Sequence, residues 1–149
     1  MIYELQTELI TQVKTIFDKH SFPVFNQNEF ENIANETGMP AIGVYYVMSE
    51  VRGNISAQQA RSVSATFIIA RFILILIADS RYISPEDSSQ SVFNLLDQIR
   101  VLLHGYMGVN SRPWRFDGDV PIAIRTENAI CYGQRWETEI PLVGSYSTV

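Results

Sequence analysis

The sequence has very little cysteine and few basic residues. Cys131 is the only cysteine among 149 residues, so the chain cannot form an internal disulfide and gives no sign of an oxidising compartment. Lysine and arginine number 11 against 16 aspartates and glutamates, which gives a net charge of -5. The arginines are scattered singly and do not form the basic patch typical of nucleic-acid binding. We therefore expect no sequence-specific nucleic-acid partner.

Long hydrophobic runs are also missing. The most apolar stretch, residues 65–78, is shorter than the ~20 residues of a membrane-spanning helix and is interrupted by Arg71. The N-terminus does not show a cationic region followed by an apolar one, which is the pattern of a secretory signal. We expect no membrane partner and a chain that is made in the cytoplasm.

The common catalytic and phosphate-binding motifs are absent: there is no P-loop, GxGxxG, GxSxG, HExxH or CxxC. His20 and His104 lie near the predicted C-terminal ends of two helices, where histidine complements the helix dipole. Cys131 lies in the middle of a predicted strand, which favours a small buried residue over a nucleophile. The sequence predicts no catalytic residue, no cofactor, no metal site and no enzyme activity.

Two pairs of carboxylates have simple structural interpretations. The two aspartates of residues 117–119 flank a glycine, which predicts a surface turn, and two carboxylates are too few for a calcium site. Glu137 and Glu139 are two apart on a predicted strand and share a face with Arg135. This arrangement favours a solvated or partner-facing surface over the paired carboxylates of a glycosidase.

Apolar periodicity predicts two helices, at residues 2–19 and 85–104. The second has Ser84 as N-cap, Pro85 in its first turn and Gly105 or Gly108 as C-terminal cap. Strands are predicted at residues 40–51, 62–78, 120–126 and 129–142, with a short extended piece at 23–26 and a helical turn at 29–34. The last two strands form an antiparallel hairpin.

The order helix, strands, helix, strands predicts an α+β fold, with an antiparallel or mixed sheet and two main helices packed on one face. We expect one domain over residues 1–149, with a loose tail after about residue 144. The strand at 62–78 is apolar on both faces, because one side carries Ile73, Ile75 and Ile77 and the other Phe72 and Leu74. Helices on one side leave the second face to be covered by loops or by another subunit.

Four residues are candidates for a partner interface: Trp114, Arg115, Arg71 and Arg135. Tryptophan and arginine are enriched at protein interaction hot spots. Trp114 precedes the last hairpin and is the better interface candidate of the two tryptophans. Trp136 lies on the apolar face of its strand and is predicted to be core.

Several segments together resemble the phage tail terminator and tail-completion proteins, including the minor tail proteins of Mu-like prophages. They are PAIGVYYV at residues 40–47, ILIAD at 75–79, LLDQIRVLLHG at 95–105 and YGQRWETEIPL at 132–142. The resemblance implies an α+β subunit of a ring, often a hexamer, that caps the tail tube and stops its polymerisation. It further implies tail tube and head-completion proteins as partners, a place in the virion tail after assembly in the host cytoplasm, and no catalytic residues.

Two alternatives stay open. The chain is alternatively a small-ligand binding module or small enzyme with a pocket between helix and sheet, for which Tyr45, Tyr46, His104 and Arg115 are the first residues to inspect. Within the structural class, it is alternatively a baseplate or other minor tail component. A ring of heterologous contacts would supply the second cover of the two-faced strand.

Overall fold

A computed structural model of the chain describes residues 1–29, 38–51, 65–123 and 128–143. The helices and strands are α1 (Ile2–Phe17), β1 (Val24–Phe25), β2 (Ala41–Val51), β3 (Ala65–Asp79), α2 (Val92–Leu103), β4 (Arg115–Pro121) and β5 (Ala129–Val143). The strands form one sheet in the order β1-β2-β3-β5-β4. β1 is parallel to β2 and the other neighbouring strands are antiparallel. The predicted α+β fold with a mixed sheet is therefore confirmed.

The two helices pack on one side of the sheet. The stripe of α1 buries Leu5, Leu9 and Val13, as the spacing of three and four predicts. The core formed with α2 and the sheet contains Leu95, Ile99, Leu103, Phe72, Leu74, Leu76, Trp136 and Ile140. Each fully buried side chain of this size stabilises the fold by about 1.5–3 kcal/mol. The side chains of alternate residues of β3 therefore point into the core, as expected for a strand.

The other side of the sheet is covered by no helix of the described residues, and we call it the open face. Its residues in β3 are Phe67, Ile69, Arg71, Ile73, Ile75 and Ile77, which alternate with the core residues of the same strand. Ile73, Ile75 and Ile77 are partly exposed, and Phe67 is 37% exposed. The predicted division of this strand into two apolar faces is confirmed.

The predicted start of the second helix is wrong, because α2 begins at Val92 and not at Pro85. Two short 3₁₀ turns, Ser80–Ile83 and Ser88–Gln90, occupy the preceding segment. The Asp87 carboxylate accepts hydrogen bonds from the Ser89 amide at 3.0 Å and from its hydroxyl at 2.6 Å. Such side-chain bonds compete with the α-helix, so the capping residues of the sequence form turns instead. The predicted C-terminal cap is confirmed at Gly105, whose φ is +84°.

The predicted strand at residues 120–126 also begins at the wrong place, since β4 runs from Arg115 to Pro121 and residues 124–127 lie outside the described residues. The pairing of β4 with β5 shifts between Phe116 and Asp119, and Gly118 has a φ of +105°. This bulge interrupts the alternation by which a strand is recognised in sequence. α1 ends at Phe17 and a 3₁₀ turn follows it. The predicted turn at 29–34, apart from its first residue, and the tail from residue 144 lie outside the described residues.

Candidate functional site

The open face carries a network of ion pairs centred on Arg71. This residue of β3 lies between β2 and β5, and its guanidinium bonds to Glu50 of β2. Its Nη1 lies 3.5 Å from Asp117 Oδ2 and 3.6 Å from Glu137 Oε2. The hydrogen bond with Glu50 raises the pKa of Arg71 above its ordinary value. One arginine therefore joins carboxylates from three neighbouring strands.

Arg115 extends this network along the β4 edge of the sheet. It pairs with Glu137 in the β4–β5 register, which places its Nε 3.3 Å from Glu137 Oε1. Its Nη1 lies 3.5 Å from Glu139 Oε1. We call these six residues, Arg71, Arg115, Glu50, Asp117, Glu137 and Glu139, the charged network. Glu137 and Glu139 do share the open face, but they pair with Arg71 and Arg115 and are only 18% and 22% exposed, so they are not a solvated surface.

An apolar area lies next to the charged network on the same face. Gly133 of β5 has no side chain, and three apolar side chains approach the position that a Cβ would occupy. The distances from that position are 2.7 Å to Ile73 Cδ1, 3.1 Å to Ile122 Cδ1 and 3.2 Å to Val120 Cγ1. We call Ile73, Val120 and Ile122 the apolar pad. It is continuous because glycine allows the three side chains to meet.

Arg135 lies at the boundary between these two areas. It pairs with Ile73 in the β3–β5 register and is exposed. Its Nη2 is 3.1 Å from the position that a Cβ on Gly118 would occupy, so the guanidinium extends over the bulge of β4. It makes no ion pair with any of the described residues. Arg135 is thus a cation available to a partner on the open face.

The structure brings together three of the four predicted interface residues and separates the fourth. Arg71, Arg115 and Arg135 all lie on the open face, whereas Trp114 is fully buried. The Trp114 ring packs edge-to-face on Phe72, with 5.5 Å between ring centroids. Since consecutive residues at the start of a strand point to opposite sides, an outward Arg115 puts Trp114 in the core. The interface role predicted for Trp114 is therefore corrected, and its side chain belongs to the core with Trp136.

The segment between α2 and β4 forms a closed loop that the sequence did not indicate. Its ends are joined by hydrogen bonds from the Gly105 amide to Trp114 O at 2.8 Å and from the Trp114 amide to Tyr106 O at 2.9 Å. The buried Asn110 donates to Thr138 Oγ1 at 2.9 Å and to Glu139 O at 2.6 Å. The loop therefore lies beside β5 at the point where β4 has not yet begun.

Glu8 of α1 fixes the same loop from the helix side. Although its side chain is charged, it is only 9% exposed and accepts a hydrogen bond from the Val109 amide at 3.2 Å. A Cβ on Gly108 would overlap the Glu8 carboxylate, so the glycine allows the close approach. This contact joins residues 101 positions apart, and periodicity gives no signal for it.

The residues proposed for a ligand pocket do not converge. Tyr45 lies on the open face, and Tyr46 lies on the helix side with its hydroxyl 2.6 Å from Ser49 Oγ. His104 Nδ1 accepts a hydrogen bond from the Phe116 amide at 3.2 Å, while Arg115 belongs to the charged network.

The two aspartates of residues 117–119 do not form a surface turn as predicted: Asp117 meets Arg71 on the open face and Asp119 meets Arg100 of α2.

The thiol of Cys131 is expected to resist alkylation while the chain is folded. Burial raises the pKa of Cys131 to about 11, because the thiolate would lie in apolar surroundings. The unfolded chain has a thiol pKa of about 8.5, so it reacts readily near pH 8. The unfolded chain loses the thiol proton at a lower pH than the folded chain does. The free energy of unfolding should therefore decrease as the pH rises from about 9 to 11. Mass spectrometry after iodoacetamide treatment, with and without urea, measures the difference, and rapid labelling of the folded chain would contradict it.

Among the described residues, no three histidine, cysteine, aspartate or glutamate side chains lie close enough together to hold a metal ion. No helix in the described part of the chain is long and apolar enough to cross a membrane. No protein-family model matches the chain, and no curated protein matches its sequence. The open face is therefore the candidate functional site on the strength of its geometry.

Proposed function

We propose that this chain is a structural subunit of a phage or prophage tail that forms a ring with copies of itself at the end of the tail tube. The observation that supports this proposal is the open face, where an apolar pad and a charged network lie side by side. Tail tube and head-completion proteins are its further partners, and the virion tail is its location. The sequence resemblance supports the tail context of this proposal, and the open face supports the self-assembly.

The apolar half of the open face favours contact with another protein surface. Partly exposed isoleucines on the open face lose contact with water when they are covered, which is favourable by about 25 cal/mol per Å² of apolar area. β3 and β5 pair over 15 residues each. With a rise of ~3.3 Å per residue and strands ~4.8 Å apart, the face of these two strands is roughly 50 Å long and about 10 Å wide. With the shorter strands β2 and β4 added, the area of the face comes close to the ~800 Å² per partner of a standard interface.

The charged half of the open face supplies orientation. Networks of this kind favour correctly placed partners and repel wrong ones, because misaligned charges face like charges. The side chain of Arg71 is 33% exposed, so a partner can reach it, whereas Nε and Nη2 of Arg115 are buried within the network. In the isolated chain such half-exposed pairs contribute only about 0–1 kcal/mol each. Their arrangement therefore favours a role in recognition over a role in folding.

The mass of the chain in solution tests the proposal. We expect sedimentation velocity to show a concentration-dependent species of several copies, and negative-stain images of that species to show rings. Addition of tail tubes should place the ring at one end of each tube. Val101→Glu provides a control, since Val101 is 86% exposed on α2, away from the open face. A chain that remains monomeric at high concentration, and adds to no tube end, would contradict the proposal.

A further inference from the structure

Two buried polar atoms at the loop between α2 and β4 have no hydrogen-bond partner among the described residues. They are the indole Nε1 of Trp114, which can only donate, and the amide Oδ1 of Asn110, which can only accept. Trp114 is fully buried and Asn110 is 6% exposed. A buried polar group without a partner costs free energy, so nearly all such groups in proteins bond to protein or to ordered water. This loop therefore leaves one donor and one acceptor to be satisfied.

The amide of Asn110 cannot be turned to satisfy its oxygen. Its Nδ2 donates to Thr138 Oγ1 at 2.9 Å and to Glu139 O at 2.6 Å. The Glu139 carbonyl can only accept, so a rotated amide would place two oxygens against each other. Asn110 Oδ1 is therefore the unpaired atom in every orientation that keeps both bonds.

The indole of Trp114 begins beside the same threonine. β4 and β5 are antiparallel and Arg115 is paired with Glu137, so one step back along the chain places Trp114 opposite Thr138. The Thr138 hydroxyl donates to Pro113 O at 3.2 Å, which holds the two segments together at this point. Both unpaired atoms thus belong to residues that lie next to the Thr138 hydroxyl.

A small residue lies on the sheet between these two side chains. Ala70 of β3 is the register partner of Thr138, and it is two residues from Phe72 on the same face of the strand. The ring of Trp114 packs on Phe72, with 5.5 Å between ring centroids, so the indole extends from Thr138 towards β3. Because alanine carries only a methyl group, the Ala70–Thr138 pair is the least filled part of this row of the core.

We propose that a water molecule is bound at the Ala70–Thr138 pair, where it accepts a hydrogen bond from Trp114 Nε1 and donates one to Asn110 Oδ1. Its second hydrogen bonds to Thr138 Oγ1, which keeps a free lone pair after accepting from Asn110. Buried waters in proteins typically have about three partners of this kind. The inference goes beyond the proposed function and does not depend on it, since the site lies inside one copy of the chain.

The two unpaired atoms select a neutral ligand that both donates and accepts. A cation would face the partly positive N–H of Trp114, and an anion would face the partly negative oxygen of Asn110. No charged side chain bonds to either atom, and an ion buried without a counter-charge costs far more free energy than a neutral polar molecule. Water is the smallest molecule that supplies both a donor and an acceptor.

The bound water connects the loop between α2 and β4 to the core. It adds the indole of Trp114 to the bonds that already hold Asn110 on β5. Without the indole N–H, the water still has Asn110 and Thr138 as partners. Trp114→Phe therefore leaves no protein group unpaired, whereas Trp136→Phe deprives Gln134 of its donor.

Nuclear magnetic resonance of the wild-type chain tests the site in solution. The chain has two tryptophans and therefore two indole N–H signals, which either Trp114→Phe or Trp136→Phe assigns. We expect a rotating-frame Overhauser cross-peak between water and the Trp114 indole proton, with the sign of a dipolar contact and not of proton exchange. The Trp136 indole proton is the matched control. It is equally buried and donates to Gln134 Oε1 at 2.8 Å, so it should show no such cross-peak.

A high-resolution crystal structure of the wild-type chain locates the water. We expect an oxygen at roughly 2.7–3.2 Å from both Trp114 Nε1 and Asn110 Oδ1. A direct hydrogen bond between those two atoms would overturn the inference, and so would a Trp114 indole proton that shows no contact with water. A chain that shows the contact but never assembles would overturn the proposed function alone, so the two proposals are decided separately.

Discussion

Replacing Trp136 with alanine should lower the free energy of unfolding by about 3–5 kcal/mol, the range for deletion of a large buried aromatic side chain. The indole is fully buried and packs edge-to-face on Phe116, with 5.6 Å between ring centroids. Its Nε1 donates to Gln134 Oε1 at 2.8 Å, and the buried Gln134 donates to Leu96 O at 3.1 Å. The variant would therefore leave a cavity and an unpaired amide oxygen between β5 and α2. Urea unfolding followed by circular dichroism measures the loss.

Trp114 provides a matched control for the hydrogen-bond part of this effect. It is as fully buried as Trp136, but its Nε1 has no hydrogen-bond partner among the described residues. Replacement by phenylalanine removes the same atoms at both positions, while only Trp136→Phe deprives a buried partner of its bond. We expect Trp136→Phe to cost about 1–3 kcal/mol more than Trp114→Phe. Equal losses would show that the bond to Gln134 contributes nothing to stability.

The parts of the fold that were predictable depend on short-range repetition. The alternation in β3 and β5 correctly divided their residues between two faces and placed Trp136 in the core. The start of α2 was missed because Asp87 and Ser89 form a local turn that has the same residue types as a helix cap. The start of β4 was missed because the bulge at Gly118 breaks the alternation. Side-chain hydrogen bonds that compete with a helix, and bulges that interrupt a strand, leave little trace in a single sequence.

The candidate site was harder to predict because it depends on which strands are neighbours. Arg71, Arg115 and Arg135 were named individually, but their convergence requires the order β3-β5-β4 and the register of each pair. Trp114 was misplaced because its direction depends on where β4 begins. The contact between Glu8 and Val109 depends on long-range packing. Resemblance to a family suggested assembly, and only the three-dimensional structure suggested which surfaces assemble.

Replacing Arg135 with glutamate should disrupt assembly strongly and affect folding little. Its guanidinium is exposed and makes no ion pair with the described residues, so its loss removes no bond that holds the chain together. The new carboxylate would join the four of the charged network at the proposed interface. Like charges that are brought together there cost several kcal/mol. We expect association at least tenfold weaker, with a melting temperature close to that of the wild type.

Lys19→Glu is the matched control for Arg135→Glu, because it changes the net charge by the same amount at an exposed position on the helix side of the molecule. Sedimentation velocity at low and high salt separates the local effect from the global one. General repulsion would weaken both variants alike and would be relieved by salt in both. A contact at the open face instead predicts loss of assembly for Arg135→Glu alone. If both variants assemble like the wild type, Arg135 lies outside the interface, and the part of the open face beside it is not where the copies meet.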